Sequence, residues 1–380
     1  MTGRLAGSGA GAGRLLVAGC AALLAFGSAV PTARADQLED GGWPLEALRA
    51  KEAWQLTRGA GVTVAVIDGG VQADHPDLVG RVLPGTEFGY GARGDGRVDR
   101  KTNWHGTAMA VAIAGLADGD GVVGLAPDSR ILPISLTQSV LEGGDLTTAI
   151  RYGVDHGAKV ISISMAGFQT TPEEEAAVRY ADAKDVVVVA CNGNTGSSNN
   201  QPRYPASYPG VVAVGAADRN GRPWFDSVHG RQTVLAGPGV GTLAPSREGG
   251  YRFGSGTSQA TAYVAAAAAL VRARFPHLTA GQVVNRLIRT ASKGDDGANW
   301  EPYAGYGLVN PYKALTANLP AGPPGNPLLT RPNRVPWPSG YAGPAPVQDA
   351  PTGWVWPGVL AVLAVVGGIG AAVVVRRRRG

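Results

Sequence analysis

Cysteine is scarce. The 380 residues hold two, Cys20 and Cys191. Cys20 falls in a segment expected to be cleaved, which leaves Cys191 alone and excludes an internal disulfide in the mature chain. Charge is scarce too, at 17% of residues against 44% hydrophobic, which excludes a highly charged disordered chain. The 57 glycines follow no three-residue period, so a collagen is excluded. Acid is absent from the first 35 residues, which carry Arg4, Arg14 and Arg34, and from the tail Arg376–Arg379. Without those seven arginines, 27 basic residues face 29 acidic ones. The net charge of +5 therefore belongs to the two ends and gives no reason to expect nucleic acid as a partner.

The ends read as addresses. Met1–Arg14 is Gly-rich with two arginines, Leu15–Val30 is apolar and small, and Ala33-Arg34-Ala35 offers an A-x-A cleavage site. This is the three-part layout of a secretory signal peptide, residues 1–35. Val17-Ala18-Gly19-Cys20 has the form of a lipobox, but few apolar residues precede Cys20 and the apolar run continues past it. At the other end Trp354–Val375 is 22 residues without a charge, about 33 Å as a helix and enough for a bilayer core of about 30 Å. Trp354 and Trp356 suit the interface on one side, and the arginines of residues 376–380 suit a cytoplasmic stop on the other. The expected topology is a single-pass cell-membrane protein with everything between the signal peptide and Trp354 outside. Residues 319–353 are rich in Pro and Gly without hydrophobic periodicity and read as a semi-rigid spacer. One folded domain, about residues 36–318, remains.

Within it, apolar runs of strand length alternate with helical patterns. Val62–Ile67, Ile131–Ile134, Val160–Ser164, Val186–Ala190 and Val211–Val214 are the expected strands. Gly106–Ala117, Leu146–His156, Pro172–Ala183, Thr257–Phe275 and Ala280–Thr290 are the expected helices. Continuous apolar strands alternating with helices predict a mostly parallel sheet covered on both faces, a three-layer α/β domain. In such folds chemistry sits at the carboxyl ends of strands.

Three segments stand out from a pure core. Asp68 follows the run Val64-Ala65-Val66-Ile67 and precedes two glycines. His105 opens a helix of small residues in Trp104-His105-Gly106-Thr107. Ser258 opens an Ala-rich helix in Gly254-Ser255-Gly256-Thr257-Ser258-Gln259. Alone, the acid serves equally as a cap, a metal ligand or a ribose-binding group, and the other two serve as helix-start residues. Together they supply a hydroxyl, an imidazole to take its proton and a carboxylate to hold the imidazolium, the requirement of serine-based acyl transfer. A serine at a helix N-terminus also gains positive potential where an oxyanion develops. The order Asp…His…Ser is that of subtilisin, and no G-x-S-x-G elbow is present.

On these motifs residues 43–315 resemble the subtilisin-like serine proteases. Asp74-His75-Pro76-Asp77-Leu78, Gly124-Leu125-Ala126-Pro127, Ile161-Ser162-Ile163-Ser164-Met165 and Val186–Ala190 running into Gly193-Asn194 strengthen the likeness. The resemblance implies a subtilisin-like fold, catalytic Asp68, His105 and Ser258, and Asn194 as an oxyanion donor. It also implies a strand lining the substrate cleft, Ser162, Ser164, Met165, Ala166 and Gly167, that hydrogen-bonds an extended protein or peptide substrate. No metal or cofactor is expected. With the signal peptide, spacer and membrane helix, the chain resembles the mycosins, membrane-anchored proteases of type VII secretion, whose complexes become possible partners.

There are departures from the family pattern. Gly69 stands where a Ser or Thr usually follows the catalytic Asp. Gln259-Ala260-Thr261-Ala262 lacks the usual proline after the nucleophile, and Cys191-Asn192 is more polar than usual, which could alter the floor of the specificity pocket. Three readings therefore stay open: an active endopeptidase of a secretion complex, a weakly active or inactive protease-like scaffold, and a surface protease unrelated to secretion. His75 reads as structural, and His156, His229 and His277 have no partner at useful spacing. Asp118-Gly119-Asp120-Gly121 reads as a solvated turn rather than a calcium loop. With the first strand beginning at Val62, little room remains for a long propeptide, so the domain is expected to fold without one.

Overall fold

The computed structural model describes residues 42–89, 91–101, 103–117, 121–136, 145–292 and 300–330. The signal-peptide and membrane-helix readings, residues 137–144 and Asp118–Asp120 lie outside the described residues. Among the described residues, no helix is long and apolar enough to cross a membrane.

Among the described residues there are nine strands: β1 Thr63–Asp68, β2 Thr86–Phe88, β3 Arg130–Leu136, β4 Val160–Ile163, β5 Val187–Cys191, β6 Val212–Ala217, β7 Thr233–Pro238, β8 Thr242–Pro245 and β9 Tyr251–Gly254. The first seven form one sheet in the order β2-β3-β1-β4-β5-β6-β7. Every pairing in it is parallel. β8 and β9 form a separate antiparallel hairpin. Apart from the half-buried Thr63 at the start of β1, the central strands β1, β4, β5 and β6 are buried throughout, as their apolar runs require.

The helices are α1 Trp43–Ala47, α2 Ala50–Trp54, α3 His105–Ala114, α4 Asp145–Asp155, α5 Pro172–Ala183, α6 Thr257–Arg274, α7 Ala280–Thr290 and α8 Pro311–Thr316. α3 and α6 pack together on one face of the sheet; α4 and α5 pair on the other. The result is a three-layer α/β domain. α6 is buried on nearly every side, so its alanines are needed all round and not along one stripe. Close approach also needs glycine: a Cβ on Gly237 of β7 would come within 2.6 Å of the Ala260 carbonyl oxygen.

The sheet's connections leave β1 in opposite directions. β3 lies to one side and β4 to the other, so the carboxyl ends of β1 and β4 bound a crevice at the switch point. Asp68 is the last residue of β1 and Ser164 follows β4 directly.

Packing continues past Leu319, into the segment expected to be spacer. Arg286 of α7 donates to the carbonyls of Ala314, Ala317 and Leu319. Asn326 Nδ2 donates to Asp182 Oδ1 and the Gly210 carbonyl, and Leu328 is buried. An extended linker therefore starts no earlier than the residues after Leu328.

Candidate active site

Asp68 is 1% exposed, an expensive position for a carboxylate unless its oxygens are bonded. Both are. Oδ1 accepts the Gly69 N–H at 2.7 Å, and Oδ2 lies 2.7 Å from Nδ1 of His105. A carboxylate can only accept, so Nδ1 carries the proton and Nε2 is left as the basic nitrogen. The approach of α3 to β1 depends on Gly106, where a Cβ would meet the Gly70 carbonyl oxygen at 2.1 Å. Trp104, before the helix, takes a left-handed backbone (φ 48°) to turn His105 inward.

Burial works to lower the His105 pKa, but the charge and hydrogen bond of Asp68, with a further contribution from Asp99, leave it above its ordinary value. Asp99 is a second buried carboxylate, and its own pKa is raised, chiefly by burial. Its Oδ2 accepts the Thr107 N–H (2.8 Å) and hydroxyl (2.7 Å), and Oδ1 accepts the Lys101 N–H (3.0 Å). The departure at Gly69 has a local partner: the Lys101 side chain occupies the space a Cβ there would need, 2.3 Å from its Cγ.

Ser258 is the second residue of α6, behind Gly256 and Thr257. Its Oγ donates to the Ser164 carbonyl at 3.3 Å, and Ser164 Oγ donates to the Ser258 carbonyl at 3.2 Å. The Ser258 hydroxyl is thus engaged with the end of β4 and not with His105. Thr257 holds the next group. Asn194 Oδ1 accepts both the Thr257 N–H (2.9 Å) and its hydroxyl (2.7 Å). A backbone N–H can only donate, so the amide oxygen faces Thr257 and the Nδ2 donors face away, near Gly256. Thr257 Oγ1 also accepts the Gly193 N–H at 3.1 Å.

The expected cleft strand divides. Ser162 lies inside β4, paired with Val66 on one side and Val189 on the other, and is 1% exposed. Its place in the substrate cleft is corrected: the sheet already uses its backbone. Gly167 exchanges both backbone bonds with Tyr204, each 2.9 Å. Met165 and Ala166, half-buried between these points, have no backbone partner among the described residues. They form the open edge, flanked by Ser164.

Cys191 and Asn192 are buried, and Asn192 Nδ2 donates to the Thr233 hydroxyl at 3.0 Å. Burial pushes the Cys191 thiol up to about 12. His75 is buried between Trp104 and Tyr251, and its Nδ1 accepts the Asp77 N–H at 3.2 Å. His156 stacks on Tyr152 and His229 on Tyr303. Among the described residues no group of three or more His, Cys, Asp or Glu side chains could hold a metal.

Sequence reasoning passed over three residues. Thr257 sits inside the Ser258 motif, but only the folded contacts show it holding Asn194. Asp99 and Arg203 belong to loops without periodicity, and no local signal marks them.

Known proteins agree on the ancestry. The sequence model of the subtilase family, Peptidase S8, matches residues 59–307. Subtilisin DY of Bacillus licheniformis is 38% identical over 260 residues, 67% of this chain and 90% of that protein. Mycosin-3 of Mycobacterium tuberculosis is 32% identical, over 87% of this chain and 83% of its own. The crystal structure of MycP1 from the ESX-1 type VII secretion system superposes with a TM-score of 0.65 at 32% identity, covering 75% of this chain and 88% of that one.

Proposed function

This chain belongs to the subtilase family of serine proteases and is related to the mycosins, and from that premise we propose that it is a membrane-anchored extracytoplasmic endopeptidase working through Asp68, His105 and Ser258. The carrying observation is the Asp68–His105 pair at 2.7 Å, at the crevice end of β1, with Ser258 opening the central helix beside it. In the reaction the Ser258 hydroxyl leaves the Ser164 carbonyl and gives its proton to Nε2 of His105 as Oγ attacks the peptide carbonyl. Asp68 stabilises the imidazolium. The Asn194 Nδ2 and the Ser258 N–H hold the oxyanion. His105 then protonates the leaving amine, and water releases the acyl group by the same steps. The substrate lies extended along Met165 and Ala166.

Labelling the full chain with a fluorophosphonate tests this reading. Wild type takes the label and Ser258→Ala does not; equal labelling of both rejects it. The anchor and its orientation rest on residues 354–375 and the arginines after them. Protease added to intact cells is expected to remove the domain and leave the tail. Association with a type VII secretion complex rests on the mycosin relatives.

A scaffold reading is favoured by one observation, the Ser258 hydroxyl bonded to Ser164 in place of His105. Complementation separates the two: a scaffold lets Ser258→Ala restore secretion to a deletion strain, and an obligatory protease does not.

A further inference from the structure

Arg203 is an anomaly beside the candidate cleft. It is 5% exposed, yet no carboxylate among the described residues pairs with it. Its Nη2 donates to the Thr195 hydroxyl, a neutral group. Its guanidinium lies 3.3 Å from the centroid of the Phe168 ring. A buried guanidinium stays charged, and a buried charge without a counter-charge is costly unless it has a use.

Its surroundings say what that use is. Phe168 lies two residues past the open edge Met165–Ala166 and is 52% exposed, so the ring stacked on Arg203 reaches solvent at the end of that edge. Tyr204, the next residue, is locked to Gly167 by two backbone bonds. On the other side the Arg203 stem packs against Gly193, where a Cβ would come within 3.0 Å of its Cγ. Gly193 also takes a left-handed backbone, φ 102°, so the position is closed to side chains twice over. Arg203 therefore lies between the substrate edge and the loop Gly193-Asn194-Thr195 that carries the oxyanion donor. A peptide whose carbonyl reaches Asn194 from the Met165–Ala166 edge must send that residue's own side chain between these two walls.

We propose that Arg203 floors the recess for the side chain just before the scissile bond, and that it selects an acidic residue there. The inference rests on the protease reading of the same site. The Thr195 hydroxyl and the Phe168 face are both weak, replaceable partners, whereas a carboxylate supplies charge-assisted, bidentate bonds.

The experiment compares matched peptides with Glu, Gln or Leu before the scissile bond, offered to the full-length protein in detergent. The Glu–Gln pair is isosteric and isolates charge. kcat/KM is measured in wild type, and Kd of the same peptides in Ser258→Ala, so that an inert enzyme still reports on the recess. Fluorophosphonate labelling of the same preparation reports separately on the protease reading. Glu is expected to be favoured over Gln by about 10–100-fold, the scale of a hydrogen bond to a charged group. Arg203→Gln removes the preference, and Arg203→Lys keeps part of it. Melting temperatures of both variants show whether the fold is intact. Equal handling of Glu and Gln by wild type, in kinetics and in binding, overturns the proposal. So does a preference that persists in a folded Arg203→Gln.

Discussion

The proposed acid–base half of the candidate site and its proposed nucleophile half are held in different ways. Asp68 and His105 are joined to each other, and the surrounding fold bonds the second carboxylate oxygen to Gly69. Ser258 and Asn194 make no hydrogen bond to that pair. They hang on neighbours, Ser258 on the Ser164 carbonyl and Asn194 on Thr257. The first half is set before substrate arrives, because a buried carboxylate must be satisfied in the resting protein. The second half can wait, since a hydroxyl rotates at little cost and its oxyanion does not exist until the reaction begins. Catalytic contacts in a free enzyme are commonly loose on this side.

The largest break comes from the preset half. In Asp68→Asn the amide oxygen stays with the Gly69 N–H, which can only donate, and the NH2 turns to His105. Nδ1 must then accept, the proton moves to Nε2, and the base cannot take the serine proton. A loss of about 10⁴ in kcat is expected with the fold intact, the scale seen for this change in a serine-protease triad. Activity within tenfold of wild type would mean His105 is not the base. On the waiting half, Asn194→Ala removes one donor and is expected to lower kcat by about 10²–10³ with KM little changed. If KM rises instead, Asn194 binds the ground state.

Thr257→Val sharpens the comparison with a smaller effect. Valine keeps the shape and the backbone N–H to Asn194, but it loses the hydroxyl bond to Asn194 and the acceptor for Gly193. A fall in kcat of about tenfold is expected, with about 1–3 kcal/mol lost from stability for the orphaned buried N–H. A change in melting alone, with kcat intact, would make Thr257 a purely structural support.

Much of this architecture was legible in the chain. Parallel strands buried on both faces must be apolar throughout, and Val187–Cys191 stands within one residue of its expected run. The helix at Ala280–Thr290 has the bounds its sequence announces, because Thr279 and Gln282 form a reciprocal cap. Thr171 caps Pro172–Ala183 in one direction, its hydroxyl accepting the Glu174 N–H. The strands β2, β7, β8 and β9 were not legible: β2 holds a single apolar residue, and in the others two or three apolar residues mixed with Gly or Pro carry no period. At the site, residues at the ends of strands and helices could be read from their motifs. Ser162 was misplaced because a motif shows adjacency in sequence, not which backbone bonds the sheet has already taken. Arg203 was missed because its meaning lies entirely in what surrounds it.

The smallest expected effect concerns charge across the preset half. In the proposed reaction neutral His105 is the base, so kcat/KM should rise with pH through the free enzyme's His105 pKa, which lies above its ordinary 6.5. Asp99 contributes to that elevation through its negative charge. Asp99→Asn removes the charge and keeps an acceptor for Thr107. The imidazolium is then less favoured, its pKa falls, and the acid limb of the profile moves to lower pH, while the plateau at higher pH barely changes. The lost bond to the Lys101 N–H costs about 1 kcal/mol of stability, which melting at the plateau pH measures separately. A limb that stays in place while melting falls would make Asp99 only a staple for Thr107. The elevation of His105 against burial and the Arg252 charge would then come from Asp68 alone, and the preset half would consist of one carboxylate and one imidazole.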